Sequence, residues 1–388
     1  MNGVGHPASR HWRYAATVAG ISEPTGRVLV LTPDLRLDGG VTNYYRTLEL
    51  DRLPSVDYFF VNRPFTRTRL DKLLCGLFIF GGFLWRSWRY SVIHVNPSFN
   101  PNSFFRDWAF VLAAKIMRKK VVVFFRGWED SFERRVDASR ALSALFRLTY
   151  ARADLVIVLG ECFYRKLLAL GLHGDVPVQI ETTVADSTGL EDLDVAAKVP
   201  DEATPMTCLF MSRILEEKGV CTAIEAVACA NQTLRGDMLR LVVAGEGVDR
   251  PAAERYAARR APGAVEFVGE VRGARKSALL AGSQILLFPT QYPEGLPNVI
   301  LEAMFAGLVV VSRPVGAIAE IVENERSGLI TSSTDPQVYA TYLVRLCRDR
   351  GLVRTIAEFN RRISRDFTTD VVRRRLLDVY SRVLGDAA

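Results

Sequence analysis

Apolar and polar positions fall into alternating blocks along the chain. Short runs of β-branched and aromatic residues, bounded by turn residues, alternate with stretches whose apolar positions recur at helical spacing. The pattern predicts strands at Arg27–Pro33 (RVLVLTP), Tyr58–Val61, Ser91–Val95, Lys120–Phe125, Asp154–Leu159 and Val176–Ile180. Helices are predicted between them at Val41–Leu50, Phe104–Met117, Ala138–Arg152 and Glu161–Leu170. Residues 182–205, rich in Thr, Asp, Ala and Pro, interrupt the rhythm as a linker. It then restarts, with strands at Thr207–Met211, Leu239–Ala244, Val265–Val268, Gln284–Phe288 and Leu308–Ser312. The helices of this half are Gly219–Ala230, Lys276–Ala281 and Asn298–Phe305. Such alternation implies parallel sheets with helices on both faces, hence an α/β fold of two domains with a cleft between them. The boundaries follow: a flexible tail at 1–26, one domain at 27–181, the linker at 182–205, a second domain at 206–367, and a terminal helix within 368–388. In that helix Val372, Leu376, Val379, Tyr380 and Val383 mark one face, and Arg373 to Arg375 are expected to point mostly outward.

One run departs from the pattern. Leu73–Trp85 (LLCGLFIFGGFLW) is apolar throughout, but its 13 residues fall short of the ~20 that span a bilayer. It reads first as a buried core helix. The second reading is a helix dipping into a membrane surface, with Arg69, Arg86 and Arg89 as anchors.

The 388 residues suit two domains of ~100–200 residues each, and 49% hydrophobic content supplies two cores. Fifty Lys and Arg against 43 Asp and Glu leave a net charge of +7. That excess suits an anionic small molecule or a membrane face, or is an unremarkable basic surface. No nucleic-acid-reading motif accompanies it, so nucleic acid is not expected as a partner. The six cysteines form no CxxC pair and read as reduced thiols of a cytosolic protein. No signal-peptide core precedes Arg27.

The chemistry concentrates at predicted strand ends. Phe288–Glu302 (FPTQYPEGLPNVILE) runs from a buried strand through a Pro- and Gly-rich loop into a helix. Gly295 would let backbone approach a ligand, and Pro297 suits a helix start. The first N–H groups of that helix, from Leu296 and Asn298 onward, make a ready phosphate site. Glu294 stands just before them, where it can accept hydrogen bonds from sugar hydroxyls. Glu302, one to two turns inside, is placed to grip a ribose diol. Singly, each carboxylate reads as an ordinary loop or surface acid; the pair around a Gly-Pro loop is more specific. In Met211–Val220 (MSRILEEKGV), Arg213 and Lys218 follow a strand, and a planar fork beside a point charge suits a diphosphate. Gly245-Glu246-Gly247 after another strand permits a tight turn against a base or ribose. Asp38-Gly39-Gly40-Val41 opens a helix in the first domain, and matches neither a GxGxxG nor a P-loop pattern.

These pieces, in this order, resemble the family-4 retaining glycosyltransferases (group 1) of the two-Rossmann-domain GT-B fold. The resemblance runs from Arg27 over nearly the whole chain, and is most specific in EGLPNVILEAM, similar to that family's E-x7-E motif. It implies that Glu294 contacts a donor sugar, Glu302 the ribose, Arg213 and Lys218 the diphosphate, and the Gly39-Gly40 loop the cleft opposite. It also implies an N-terminal acceptor domain, a C-terminal nucleotide-sugar domain, and a final helix that packs back on the N-terminal domain. Where relatives often carry a His touching the sugar, this chain has Arg126-Gly127-Trp128-Glu129. Arg126 is therefore a candidate catalytic cation for a leaving phosphate or an acidic acceptor, and Trp128 a candidate sugar-stacking ring. His94 sits at another strand end and reads as structural.

The expected activity is retaining transfer of a hexose from a nucleotide-sugar such as a UDP- or GDP-sugar to a hydroxyl. No metal is expected, since no DxD-like acidic pair is placed to hold one, and no other cofactor. The expected acceptor is a glycan or lipid-linked glycan of bacterial surface-polysaccharide synthesis. The location expected from that analogy is the cytoplasm, with peripheral contact at the inner membrane face. A nucleotide-sugar epimerase of the same fold, or a catalytically silent nucleotide-sugar-binding subunit, are the alternatives.

Overall fold

Two six-stranded parallel sheets organise the protein in the computed structural model, which describes residues 24–37, 39–62 and 69–385. The N-terminal half contributes β1 (Val28–Thr32), β2 (Val56–Phe60), β3 (Val92–Val95), β4 (Ser98–Phe99), β5 (Lys120–Phe124), β6 (Gly127–Trp128), β7 (Leu155–Val158) and β8 (Val178–Ile180). β4 and β6 pair with each other; the rest stand in the order β2-β1-β3-β5-β7-β8. The C-terminal half contributes β9 (Met206–Met211), β10 (Leu239–Ala244), β11 (Val265–Gly269), β12 (Ile285–Phe288), β13 (Val309–Ser312) and β14 (Gly328–Ile330), in the order β11-β10-β9-β12-β13-β14. β1, β3, β7, β12 and β13 are buried at every residue, because helices cover both faces of each sheet. In each sheet the chain reverses its direction of travel, beside β1 in one and beside β9 in the other, and the crevice outside such a reversal is where open α/β sheets bind ligands.

The α/β expectation of two Rossmann-like domains matches the structure. The tail prediction for 1–26 lies largely outside the described residues, as does Asp38. Other expectations change. The helix predicted at Ala138–Arg152 is found as Arg140–Leu148 with a 3-10 turn at Tyr150–Arg152, and an unpredicted helix, Asp130–Ala138, precedes it and meets it at Ser139. Ser139 adopts an extended backbone and its hydroxyl accepts from the Leu142 N–H at 3.4 Å, a helix-starting cap that stops the preceding helix from continuing. Residues 182–205 hold no helix or strand, yet Thr182 to Ala185 are buried and Ala185 donates its N–H to Phe367 at 2.8 Å.

The terminal helix Thr369–Leu384 crosses back onto the N-terminal sheet. Arg375, expected to face outward, is instead buried, its Nε 3.1 Å from the Glu181 carboxylate at the end of β8. Arg373 donates to the Leu48 carbonyl at 2.9 Å. His94, fully buried in β3, shares a 2.7 Å hydrogen bond between Nδ1 and the Tyr380 hydroxyl.

The run Leu73–Trp85 lies in the helix Arg69–Ser87, and the buried-core reading does not hold. Ile79 and Phe83 are buried, with the Phe83 ring 5.0 Å from Phe110 and 6.0 Å from Phe59. Leu77, Phe78 and Trp85 are 63%, 67% and 75% exposed. A helix packed on the outside of a domain buries one stripe only, so apolarity all round leaves apolar side chains exposed on the other faces. The Arg69 side chain lies outside the described residues. Among the described residues no helix is long and apolar enough to cross a membrane.

Burial depresses the His94 imidazole to about 3, with the nearby Arg126 charge pushing the same way. A base that folding keeps neutral takes up its proton only in the unfolded chain, so His94 costs stability as pH falls below its unperturbed value near 6.5. Urea unfolding between pH 7 and pH 5 is expected to show a contribution approaching 1.4 kcal/mol per pH unit that His94→Gln removes. An unchanged slope in His94→Gln would refute the buried neutral state.

Candidate functional site

The site is built where β9 and β12 end. β9 runs out into Ser212-Arg213, and a single 3-10 turn, Glu216–Lys218, leads through Gly219 into the helix Val220–Leu234. Gly219 has φ +84°, and a Cβ there would meet the Pro289 carbonyl oxygen at 2.4 Å. Only glycine permits both, and the close approach fastens this turn to the loop after β12. The Gln291 N–H adds a 2.7 Å bond to the Glu217 carbonyl.

That pairing brings Lys218 to Glu294. Nζ donates to Oε1 at 2.5 Å, and the side chains are 8% and 10% exposed. The Thr290 hydroxyl donates to the same Oε1 at 3.1 Å. Burial pulls the Lys218 ammonium below its usual range; Glu294 opposes that pull and the Arg213 charge adds to it. The Tyr292 ring lies against both cations, with Lys218 Nζ 4.0 Å and the Arg213 guanidinium 5.7 Å from its centroid. After Glu294 the chain passes Gly295, buried Leu296 and Pro297 into the helix Asn298–Phe305, which has no side-chain cap. Its first N–H groups and dipole are thus available to an anion.

Glu302, inside that helix, is 8% exposed and accepts from Lys276 Nζ at 3.1 Å. Lys276 also donates to Asp186 at 2.6 Å, so a cation from the helix Gly273–Gly282 joins a linker acid to a helix acid. Burial raises the Glu302 carboxyl above the usual range, against the pull of Lys276. Lys276, Asp186, Thr290 and Tyr292 were not singled out in the sequence. Lys276 and Asp186 are ordinary polar residues within a predicted helix and linker, and nothing local to them announces Glu302.

The cleft between the domains has a volume of about 800 Å³. Glu294 to Asn298 line one wall, and Gly40, Arg126 and Trp128 are on the other. A Cβ at Gly40 would meet nothing within 4 Å, so packing does not demand glycine there, whereas Gly39 caps the helix Gly40–Leu48 through its carbonyl. Gly295 is required for a different reason from the expected one. A Cβ there would stand 2.3 Å from the Arg126 carbonyl oxygen, so the close approach it allows is between the two domains. The glycines at 245 and 247 likewise serve packing, since Cβ atoms would meet the Ser212 and Ile214 carbonyl oxygens at 1.9 and 2.0 Å. Glu246 pairs with Arg250 one turn on, at the surface.

Arg126 sits between two rings, its guanidinium 3.9 Å from the Tyr44 centroid and 4.2 Å from that of Phe124. It is 7% exposed, and its Nη1 has no hydrogen-bond partner among the described residues. Burial lowers its pKa, and Tyr44 opposes the shift. Trp128 is not a free stacking platform. Phe99 covers one face at 4.3 Å, with the rings 10° from parallel, and the indole N–H donates to Glu133 at 2.6 Å.

Residues 205–349 match the family described as glycosyl transferases group 1. The chain is 26% identical over 277 residues to the amylovoran biosynthesis glycosyltransferase AmsK of Erwinia amylovora, covering 69% of this chain and 65% of that one. It is 31% identical over 184 residues to a D-inositol 3-phosphate glycosyltransferase of Salinispora arenicola, covering 45% of this chain and 41% of that one. Both matches span less than two thirds of the relative's own length. In three dimensions the chain is similar to Anabaena Alr3699/HepE in complex with UDP-glucose, with a TM-score of 0.69 at 16% identity over 92% of this chain and 100% of that one. At that identity the likeness speaks for the GT-B fold.

Lys276→Met would leave Glu302 and Asp186 without their shared cation. The expected cost is about 3 kcal/mol at neutral pH, the lower end for stranding a buried charge. An unpaired Glu302 titrates higher still in the folded state, so the deficit should be full above its raised value and shrink as pH falls through it. Urea unfolding at pH 7.5 and pH 5 checks this, and a deficit that grows on acidification would rule it out.

Proposed function

We propose, for a chain whose residues 205–349 match the group 1 glycosyltransferases and whose fold is GT-B, that it transfers a sugar from a nucleotide-diphosphate-sugar to a hydroxyl acceptor with retention at the anomeric carbon. The observation that carries this reading is the nearly dry Lys218–Glu294 pair beside an uncapped helix start on the cleft wall. It sets a cation and hydrogen-bond donors for phosphate next to an acceptor for sugar hydroxyls.

In this reading the diphosphate lies across Lys218, Arg213 and the first N–H groups of the helix Asn298–Phe305, and Glu302 takes the ribose diol. The bond from the anomeric carbon to the β-phosphate oxygen breaks, and the negative charge gathering on that oxygen meets Lys218 and Arg213. The acceptor hydroxyl attacks from the same face and its proton passes to the departing phosphate oxygen. No protein nucleophile takes part. Arg126 stands at the acceptor side of the cleft. Its unpartnered Nη1 suits an anionic group on the acceptor, such as the phosphate of a lipid-linked glycan in surface-polysaccharide synthesis at the cytoplasmic membrane face.

The test is nucleotide release from UDP- and GDP-sugars with a panel of glycan and lipid-diphosphate acceptors, followed by NMR of the product's anomeric carbon. Lys218→Met is expected to lower kcat by about 10²–10³-fold, the scale for losing one preorganised charge contact, and to cost about 3 kcal/mol of stability because it strands the buried Glu294 carboxylate, so turnover is compared at a temperature where the variant is folded. Turnover near the parent's at saturating donor, or an inverted product, would overturn the mechanism. An epimerised donor formed without acceptor would replace it with the epimerase, and donor binding without nucleotide release on any acceptor with the silent subunit.

A further inference from the structure

Two hydrogen-bond donors that line the cleft stand without partners. Arg126 is 7% exposed, and Thr183, at the start of the linker, is 3% exposed. Neither Arg126 Nη1 nor Thr183 Oγ1 has a hydrogen-bond partner among the described residues. One neighbourhood holds both. Burial raises the Tyr44 phenol to about 12, and Arg126, Glu181 and Arg375 are all near enough to act on it. Arg375 in turn pairs with Glu181 and reaches the Thr182 hydroxyl at 3.4 Å, next to Thr183. A buried donor left unpaired is costly, and more so when charged, so two of them on one cleft point to a ligand that completes both.

Charge selects the ligand. Among the described residues no carboxylate holds Arg126; the groups that offset its burial are the Tyr44 and Tyr45 phenols, which burial keeps neutral near pH 7. The rings of Tyr44 and Phe124 lie against the guanidinium and leave its edge, the direction from which a planar fork meets a planar carboxylate. Among the described residues lining the cleft Arg126 is the one cation, against Glu129, Glu217 and Glu294. Lys218 meets the charge of Glu294 and leaves the other two. A single negative charge is neutralised one for one by Arg126. A doubly charged phosphate monoester would face Glu129 and Glu217 with no second cation among those residues. A neutral sugar hydroxyl would leave the buried guanidinium uncompensated.

We propose that Arg126 and Thr183 form the subsite for the carboxylate of an acidic sugar, so that one of the two sugars handled in the cleft is a hexuronate. Arg126 supplies the charge and an N–H, and Thr183 an O–H. The inference rests on the sugar-transfer reading, and narrows the anionic group that meets Arg126 to a carboxylate. That carboxylate belongs either to the sugar transferred or to the acceptor, and binding separates the two sources.

Titration calorimetry on the full chain first measures UDP and GDP alone. The donor arm then compares UDP-glucuronic acid with UDP-glucose and GDP-mannuronic acid with GDP-mannose. The acceptor arm compares methyl glucuronoside with methyl glucoside, and methyl galacturonoside with methyl galactoside, each with the nucleotide present. In one arm the acidic ligand is expected to bind about tenfold or more tightly than its neutral counterpart, the scale of one hydrogen bond to a charged group. A preference in the donor arm assigns the carboxylate to the transferred sugar, and one in the acceptor arm to the acceptor. Arg126→Gln should level the acidic and neutral ligands. Thr183→Val, which keeps the shape of the side chain, should cut the preference severalfold, and it carries the test if the first variant unfolds. Nucleotide binding with no preference for the acid in either arm overturns the subsite and leaves sugar transfer standing. So does a preference that survives both substitutions, or glucose 6-phosphate binding more tightly than the glucuronoside. Absence of nucleotide binding overturns both readings.

Discussion

Lys218 and Glu294 lie 76 residues apart in the chain and meet at 2.5 Å, each nearly shut off from water. Two opposite charges so placed hold each other's geometry tightly, because neither can relax into solvent. What brings them together is the parallel pairing of β9 with β12, which sets Cys208 opposite Ile285 and Leu209 opposite Leu286. The loops beyond those strand ends are then locked by the contact of Gly219 with Pro289. The cation and the carboxylate are thus presented at one point of the crevice, before any ligand enters. Such preorganisation is what an electrostatic site needs, since charges already in place need no reorganisation when a ligand arrives.

The same loop also ties the two domains together. Gly295 packs on the Arg126 carbonyl, and its own carbonyl accepts from the Ala317 N–H at 2.9 Å. Nearby, the Glu320 carboxylate accepts from the Glu161 and Cys162 N–H groups at 2.7 Å each, capping an N-terminal-domain helix from the C-terminal domain. A negative group at a helix N-terminus is favourable, so the cleft is held at its present width by a directional contact as well as by packing. Arg126 sits at this junction. Its backbone meets Gly295 while its guanidinium turns inward between Tyr44 and Phe124, so the domain contact and the N-terminal wall of the cleft share one residue.

Much of this was legible in the sequence where the signal is local. The strand–loop–helix run from Phe288 to Glu302, with prolines and glycine at its bend, announces a helix start at a strand end. Glu294 and Glu302 were recognisable from their spacing around it. Arg213 and Lys218 were visible as the charges that follow β9. The partners that hold these residues were not visible. Lys276 and Asp186 reach Glu302 from a helix and a linker distant in sequence, and Tyr292 lies against the two cations only once the loops have packed. Gly295 was recognisable as a glycine that allows close approach and Gly245 as one that allows a tight turn, but what both lie against is other backbone, which the chain order does not reveal.

The sequence by itself determined the alternation of strand and helix, hence two parallel-sheet domains, and the types of charge at the strand ends. Periodicity and turn chemistry act over a few residues and need no partner to be read. Tertiary structure decided which faces and charges are covered. Arg375 went inward because Glu181 waits at the end of β8. Leu77 and Trp85 of the Arg69–Ser87 helix stayed exposed because the neighbours at Phe59 and Phe110 bury only one of its stripes. Burial is a property of what lies opposite, and that depends on contacts between residues far apart in the chain.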